Sequence, residues 1–346
     1  MSWSPFLLAL MSAVLFGAAA PAGKLLLREL PPLQTAALLY LGAGLGVLPA
    51  MLRGAAPRLP WPSARLQQMR LLGAIFCGGV VGPVLLLLAL QRAAAGSVAL
   101  WLALELAATA VLGRVFFRDY LSRSGWLGVA GTIAASALLC LGQGPAGVVA
   151  GALALAACVA WGLDNNLTAL VSGLRPTQIT CWKGVVAGAV NLVLSFALES
   201  PTVALRPVLA ALAVGALAYG ASIALYITAA QSLGAIRAQV LFASAPFFGL
   251  LLSAVALGEY ISFLQITAAV GLMISLALVF RDRHLHLHSH EAIGHIHRHR
   301  HDDQHHAHPH PDADSTREHS HWHEHVPVTH THPHWPDLHH RHTHED

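Results

Sequence analysis

The sequence predicts an all-α polytopic membrane protein, with ten transmembrane helices in two inverted five-helix repeats and a disordered tail. Three observations support this fold class. Between residues 1 and 280, long apolar stretches alternate with short charged loops. The two halves of this region share residues at a fixed offset. All 23 histidines lie between His284 and His344, so the carboxyl-terminal segment has a composition of its own.

Ten apolar segments are long enough to cross a bilayer. A spanning helix needs about 20 mostly apolar residues, each rising about 1.5 Å. The segments lack the period-two alternation of membrane strands and are rich in Ala, Leu and Gly, which is typical of closely packed membrane helices. The predicted helices cover residues 5–27, 33–52, 71–91, 95–115, 124–142, 147–169, 177–198, 207–229, 235–257 and 260–280.

The distribution of Lys and Arg over the short loops predicts the orientation. With the amino terminus in the cytoplasm, eleven basic residues fall on the cytoplasmic side and four, Lys24, Arg28, Arg92 and Arg206, on the other side. We therefore expect a multi-pass protein of the cell (inner or plasma) membrane with both termini in the cytoplasm. Lys24 is expected to extend towards the membrane interface.

An internal repeat divides the apolar region. An offset of 140 residues places Gln91 on Gln231, Asp119 on Glu259, Tyr120 on Tyr260 and Gly131 on Gly271. We assign residues 1–142 to the first five-helix repeat, 147–280 to the second and 281–346 to a cytoplasmic histidine-rich tail. Because each repeat has an odd number of helices, the second enters the membrane with the opposite orientation, as in many secondary transporters.

Two matching motifs carry a resemblance to a known family. Leu257-Gly258-Glu259 leads into Gln265 and Gly271, and Arg118-Asp119-Tyr120 leads into Trp126 and Gly131. Residues 1–280 resemble the EamA-type repeats of the drug/metabolite transporter superfamily. The resemblance implies a secondary carrier of small organic solutes, often an exporter, with a central cavity lined by helices one to four and six to nine. Arg118-Asp119 departs from the family's Gly-Glu pattern, and the tail is not part of that pattern.

Glu105 is predicted near the middle of the fourth helix, where a charge is costly and suggests function. Glu105 follows Ser97 and Trp101 and precedes Thr109, each four residues from the next, so these side chains form a polar and aromatic stripe on one face of the helix. Two interpretations of Glu105 stay open. It is a proton-coupling or cation-binding group of the transport cavity, or a protonated glutamate that hydrogen-bonds between helices.

Asp164 and Lys183 are expected to form an ion pair. Asp164 shares a polar face of the sixth helix with Trp161, Asn165 and Thr168, and Lys183 lies in the seventh helix. Both are about ten residues from the intervening turn, so an antiparallel hairpin brings them to similar depth, and an unpaired lysine there would be very costly. The pair either pins the hairpin or faces the cavity, where it could hold both ends of a zwitterionic solute.

The remaining membrane residues give weaker signals. Tyr226 shares a face of the eighth helix with Tyr219 and Ser222, which line the cavity or pack against neighbouring helices. We count Trp101, Trp161, Asn165 and Tyr226 with the charged residues as the predicted transport site. The four cysteines have no C-x-x-C spacing and are expected to be packing residues.

The tail has the pattern of a metal-binding segment. Its histidines alternate with other residues, so an extended chain would project imidazoles to one side, and neutral imidazole binds Zn, Ni, Co and Cu(II). With few apolar residues and several prolines, the tail is expected to be disordered without metal. The alternative is a segment that only buffers protons. The predicted ligands are His284, His286, His288, His290, His295, His297, His299, His301, His319, His321, His323 and His325.

These observations favour a transporter over an enzyme. Residues 1–283 contain no histidine, which excludes a Ser-His-Asp triad or a histidine-zinc site there. We expect a carrier that exports a small organic solute, with proton coupling left open, or else a Ni, Co or Zn efflux carrier fed by the tail, or a membrane-anchored metal reservoir. No cofactor is expected to be required. The expected partners are lipid, the solute and metal ions at the tail, but no nucleic acid, and a homodimer is left open.

Overall fold

The computed structural model describes residues 5–52, 59–117, 121–233 and 235–280 of the apolar region. In the tail it describes residues 284–290, 294–299, 319–324 and 328–334. The chain divides into two compact units, one that contains all the helices and one that comprises Arg283–Trp335.

Ten helices of the described chain are long and apolar enough to cross a membrane, which confirms the ten predicted segments. Span 3 starts at Arg65 instead of residue 71, because the helix begins before the apolar stretch, in a polar segment that carries Arg65 and Arg70. Spans 1 to 10 cover Pro5–Leu26, Pro32–Met51, Arg65–Arg92, Ala95–Phe116, Arg123–Leu141, Gly144–Ala169, Pro176–Leu198, Leu205–Ala230, Ala238–Leu257 and Phe263–Phe280.

Half of the spans are single helices and half are interrupted. The uninterrupted helices are Pro32–Leu52, Arg123–Leu141, Gly144–Ala169, Pro176–Leu198 and Phe263–Phe280. Spans 1, 4 and 9 each consist of two helices, which are Pro5–Gly17 and Ala19–Leu26, Ala95–Trp101 and Leu104–Phe117, and Ala235–Phe242 and Ala245–Leu257. Spans 3 and 8 each consist of three segments, which are Arg65–Ala74, Ile75–Val81 and Gly82–Arg92, and Leu205–Val214, Gly215–Ala221 and Ser222–Leu233.

The interruptions repeat between the two halves. Spans 3 and 8 each contain a π-helical segment, Ile75–Val81 and Gly215–Ala221, and these are 140 positions apart, the same offset that relates the two halves of the sequence. Spans 4 and 9 are divided by turns at residues 102–103 and 243–244. Since π-helix is rare in proteins, its recurrence at matching positions supports two five-helix repeats built on one plan.

Small residues allow the spans to approach closely. A Cβ atom on Gly42 of span 2 would lie 2.2 Å from the carbonyl oxygen of Leu212 in span 8. One on Gly46, a turn further along, would lie 2.3 Å from the carbonyl oxygen of Ala216. This Gly-x-x-x-Gly pair therefore lets the backbones of spans 2 and 8 touch, which joins the first repeat to the second.

Large apolar side chains cover the outside of the helical unit. Leu141, Val193 and Phe196 are 71%, 68% and 64% exposed, and many similar side chains surround them. A contiguous apolar surface of this extent is unfavourable in water. The surface therefore fits a lipid environment, in which every helix satisfies its own backbone hydrogen bonds.

The described part of the tail forms two antiparallel two-stranded ladders. His284–His290 pairs with Val328–His334, and Gly294–His299 pairs with His319–Glu324. Disorder of the metal-free tail was predicted, so neither the strands nor their pairing was expected. Because an isolated two-stranded ladder is marginally stable at best, disorder of the metal-free tail stays a prediction.

Candidate transport site

The predicted ion pair is present between spans 6 and 7. Lys183 Nζ lies 2.5 Å from Asp164 Oδ1, and the side chains are 16% and 8% exposed. The Thr168 hydroxyl, one turn after Asp164, donates to the same carboxylate oxygen at 2.9 Å. The two charges neutralise each other and connect spans 6 and 7, so the predicted ion pair is confirmed.

The π-helical segment of span 3 is the centre of a hydrogen-bond network beside this pair. The carbonyl of Gly78 accepts a hydrogen bond from Trp161 Nε1 at 2.9 Å and another from the hydroxyl of Tyr40. The carbonyl of Gly79 accepts from Asn191 Nδ2 at 3.1 Å. A wider π-helical turn leaves carbonyls free for such contacts. Spans 2, 6 and 7 are therefore fastened to one point of span 3.

Gly78 also makes room for the buried carboxylate. A Cβ atom at this position would lie 1.9 Å from Asp164 Oδ2, which is impossible without displacing Asp164. The sequence analysis missed Gly78, although a Gly-Gly pair inside an apolar helix was an available signal for a close approach.

Glu105 lies on the other side of the network and pairs with Asn165. The Asn165 amide donates to Glu105 Oε1 at 2.9 Å and to the Thr109 hydroxyl at 3.2 Å, and Thr109 donates back to the carbonyl of Glu105. Glu105 is half-buried and Asn165 is exposed. Asp164 and Lys183 both interact electrostatically with Glu105.

These groups form one cluster of ionisable and polar side chains. Lys183 offsets Asp164, whereas Glu105 has amide and hydroxyl partners but no ion pair among the described residues. In a low-dielectric environment an ionised carboxylate attracts a cation or a proton strongly. The cluster is thus suited to bind a positive charge between spans 4, 6 and 7. We call Glu105, Asn165, Asp164 and Lys183 the polar cluster.

Comparison with known proteins identifies the family. The family model described as the EamA-like transporter family matches residues 3–141 and 149–281, once for each repeat. The chain belongs to the EamA-like transporter family. It is therefore a membrane transporter of the drug/metabolite superfamily and not an enzyme, in agreement with the resemblance noted in the sequence.

A solved structure shares the fold of this EamA-like transporter. The crystal structure of another protein matches this chain with a TM-score of 0.57 and 20% sequence identity. The match covers 80% of this chain and 96% of the other chain. At this identity the likeness concerns the fold alone. None of the curated proteins matches the chain.

Two predicted site residues of the transporter lie away from the polar cluster. Trp101 is fully buried, and its indole donates to the carbonyl of Ser136 in span 5 at 3.2 Å. Trp101 thus packs against span 5 in this structure, and its role as a lining residue of the cavity stays a prediction. Tyr226 donates to Gln239 Oε1 at 2.7 Å and contacts Phe242, between spans 8 and 9.

Charged side chains also contact helix ends. The Lys24 ammonium donates to the carbonyls of Leu90, and of Ala93 at 2.9 Å, at the end of span 3, and its position at the membrane interface stays a prediction. The Glu259 carboxylate accepts from the backbone N–H groups of Ala95 and Gly96 at 2.8 and 2.9 Å. Each charge complements the dipole of the helix end that it contacts.

The family motif around Glu259 thus has a structural reason. Gly258 adopts a left-handed conformation with φ of 68°, which ends span 9 and turns the chain. The next residue, Glu259, then reaches the amino-terminal end of span 4, which belongs to the other repeat. The motif joins the two repeats at the start of the span that carries Glu105.

Metal ligands are not grouped in the part of the chain that the structure describes, where no three His, Cys, Asp or Glu side chains come together. Cys77, Cys140, Cys158 and Cys181 are free thiols in the spans. His301 and His325 lie outside the described residues, and the other predicted ligands lie on the strands His284–His290, Gly294–His299 and His319–Glu324.

Proposed function

We propose that this transporter is a secondary carrier that exports a small organic solute, which binds at the polar cluster. The observation that carries the proposal is Glu105, a half-buried carboxyl in the middle of a membrane span that is held by Asn165 and is free of a cationic partner among the described residues. Intramembrane carboxyls of this kind mark solute and proton pathways in transporters.

The two charged elements of the polar cluster have different roles. Asp164 is packed against Gly78 and bonded to both Lys183 and Thr168, so the ion pair fixes spans 6 and 7. Glu105 has fewer contacts and lies beside the exposed Asn165 amide. Glu105 is therefore the group that exchanges a proton for the positive charge of the solute, which couples export to the proton gradient.

The tail supplies a separate metal-binding function in this proposal. Alternating imidazoles are good ligands for Zn, Ni, Co and Cu(II). Passage of the metal itself through the spans is less favoured, since the described membrane residues offer no group of three ligands. The tail would then sense or buffer metal at the membrane, next to an organic-solute carrier.

Growth of cells that express variants of the transporter tests both roles. Cells with the full-length chain, the chain lacking residues 281–346, Glu105→Gln and the control Glu29→Gln are grown with organic solutes or metals. Glu29 is exposed between spans 1 and 2. We expect Glu105→Gln alone to abolish resistance to the exported solute. Loss of metal tolerance in both the truncated chain and Glu105→Gln would instead identify a metal exporter.

A further inference from the structure

A narrow groove opens on the outside of the helical unit, between spans 2, 7 and 8. Its volume is about 290 Å³. Two of its lining side chains, Leu45 and Val185, are 54% and 46% exposed, so the groove opens towards lipid. The lining side chains are apolar and come from all three spans. They are Leu41, Leu45, Leu48, Cys181, Val185 and Leu212. We call this cavity the outer groove.

Glycine contacts on both sides of span 2 form the outer groove. A Cβ atom on Gly184 of span 7 would lie 2.6 Å from the backbone nitrogen of Gly44, so spans 2 and 7 touch at their backbones. On the other side, Gly42 brings span 2 against span 8. Gly44 also lines the groove and has no side chain to fill it. One face of span 2 is therefore left uncovered between its two neighbours.

The size of the outer groove limits what can occupy it. From Leu41 to Leu48 the helix rises about 10 Å. A volume of about 290 Å³ over this length corresponds to a mean cross-section of about 30 Å². This is about a third of the cross-section of a helix, which is about 10–12 Å wide. Because apolar cavities do not hold ordered water, the groove is suited to a single alkyl chain.

One end of the outer groove lies at the level of lipid headgroups. Cys181, at this end, packs against Leu59 of the loop that follows span 2. The next residue, Trp182, donates from its indole to the carbonyl of Pro60 at 3.0 Å, and its ring centroid lies 4.9 Å from that of Trp61. Tryptophan is enriched at both interfaces between membrane and water. An alkyl chain in the groove would therefore continue into a headgroup beside this loop.

The segments at this end of the outer groove carry only positive charge. Residues 52–70 and 170–176 contain five arginines and no Asp, Glu or Lys. Arg65 begins span 3 four residues after Trp61, and it is exposed. The distribution of basic residues predicts that this side is cytoplasmic. The cytoplasmic leaflet contains the anionic lipids, which basic segments next to membrane helices attract.

We propose that the outer groove binds one acyl chain of an anionic phospholipid of the cytoplasmic leaflet, with the headgroup beside the arginine-bearing segments. The chain contacts span 2 of the first repeat and spans 7 and 8 of the second, so the lipid stabilises this arrangement of the repeats. None of the lining residues belongs to the polar cluster. The inference is therefore independent of the solute that the transporter carries.

Labelling with photoactivatable lipids tests the inference. The full-length transporter in phosphatidylcholine nanodiscs receives a trace of phosphatidylglycerol or phosphatidylcholine with a diazirine on one acyl chain. Mass spectrometry then maps the labelled residues. We expect the phosphatidylglycerol probe to concentrate on residues of the outer groove and unlabelled phosphatidylglycerol to suppress this labelling. Even labelling of the whole lipid-facing surface, or equal enrichment of both probes in the groove, overturns the inference.

Variants that fill the outer groove test its location. We expect Leu45→Trp to reduce labelling of the other lining residues to the level of the remaining exposed surface. Leu127→Trp is the matched control, since Leu127 lies on span 5 and is 63% exposed. It should be labelled in the groove like the unchanged protein. If Leu45→Trp does not purify as a folded protein, Val185→Phe replaces it. Equal labelling of filled and control variants contradicts the inference.

An arginine variant tests the position of the headgroup. One basic residue near the membrane surface changes the affinity for an anionic lipid about fivefold. Arg65→Gln should therefore require about fivefold more unlabelled phosphatidylglycerol for half-suppression of labelling. Arg123→Gln is the control, because Arg123 is also exposed at the start of a span. The same requirement in both variants contradicts the proposed headgroup position and, with it, the inference.

A second copy of the chain is the competing occupant of this surface. The Leu45→Cys transporter in membranes is treated with the oxidant diamide. The unchanged protein, which has free thiols at Cys77, Cys140, Cys158 and Cys181, is the control. We expect both proteins to remain monomeric on a denaturing gel. A disulfide-linked dimer that forms only with Leu45→Cys would show that two copies meet at the outer groove, and would overturn the lipid assignment.

Discussion

At the scale of single residues, the ion pair between Asp164 and Lys183 is the best-defined feature of the transporter. Both side chains are largely buried, and the Asp164 carboxylate is in contact with the backbone of Gly78, where no side chain fits. The removal of either charge would leave the other desolvated. Such unpaired buried charges cost far more than the pair itself contributes.

Neutralising one member of the pair should therefore destabilise the protein. We expect Asp164→Asn or Lys183→Met to lower the free energy of unfolding by about 3–5 kcal/mol, measured as loss of folded protein in detergent during thermal or denaturant titration. Exchange of both residues, Asp164→Lys with Lys183→Asp, should restore much of the yield. Equal yields of the single and exchanged variants would show that the pair does not stabilise the fold.

Glu105 contrasts with this pair in its surroundings. Its carboxylate accepts a hydrogen bond from an exposed amide, and its own helix is irregular directly before it, at residues 102–103. Fewer contacts hold this side chain than hold Asp164. The residue proposed for binding is thus the less constrained of the two acids, as expected of a group that changes partners during transport.

At the scale of helices and strands, carboxylates at helix ends join the two repeats. Glu259 accepts from the first free N–H groups of span 4, and Glu199, at the end of span 7, accepts from the backbone of Leu33 and Gln34 at the start of span 2. Both contacts pair a negative charge with the positive end of a helix. Both run from the second repeat to the first.

Loss of the Glu259 contact should loosen the start of span 4. Because two backbone donors lose a charged acceptor, we expect Glu259→Ala to reduce stability by about 1–2 kcal/mol. The control is the neighbouring Tyr260→Ala, since Tyr260 is 89% exposed. Thermal unfolding of the purified proteins measures the difference, and an equal effect of the two substitutions would argue against the helix-capping role.

The tail strands place histidine opposite histidine. In one ladder the partners are His284 and His334, His286 and His332, and His288 and His330, and the second ladder shows the same pattern. Residues directly opposite in an antiparallel ladder lie on the same face of the sheet. This register pairs histidine positions from distant parts of the tail.

Metal binding by the tail should depend on this pairing and on pH. We expect replacement of His284, His286 and His288 by Ser to weaken Zn²⁺ or Ni²⁺ binding more than replacement of His305, His306 and His308, which lie outside the described residues. Calorimetric titration of the full-length transporter measures both. Since protonated imidazole cannot bind metal and its pKa is about 6.5, affinity should fall as the pH is lowered through that value.

If the two triple variants lose the same affinity, histidine content alone determines binding. If metal affinity is unchanged between about pH 7.5 and pH 5.5, imidazoles are not the ligands.

At the scale of the whole molecule, a repeated scaffold carries an asymmetric site. The π-helical segments of spans 3 and 8 and the turns in spans 4 and 9 recur in both halves. The carboxyl of Glu105 does not recur, because the position of the second repeat that matches it is Ala245. The polar cluster therefore has no symmetric counterpart at Ala245 in the second repeat.

The orientation of the bundle is a prediction at the same scale. Ten spans and the excess of basic residues in alternate loops place both termini in the cytoplasm. Reporter fusions at residue 1 and after residue 282 should both give cytoplasmic signals. Opposite signals from the two fusions would contradict an even number of spans and the inverted repeats.

Much of the architecture followed from local properties of the sequence. The length of each apolar stretch determines whether it spans a bilayer, and the offset between repeated residues determines the number of halves. The Asp164–Lys183 pair was also predictable, because the two residues lie on neighbouring helices joined by a short turn and their depth is fixed by their distance from it. Each of these features depends on residues close together in the chain.

The tertiary structure alone decided which helix covers each face. Trp101 and Glu105 lie on one stripe of span 4, yet Trp101 is enclosed by span 5 while Glu105 borders the polar cluster. Lys24 donates to Leu90 at the end of span 3, about 66 residues away in the chain. Contacts between aromatic rings, from Tyr226 to Tyr40, join spans 1, 2, 8 and 9. Helical periodicity places a residue on a face, but its partners come from distant segments whose packing depends on the shapes of all ten helices together.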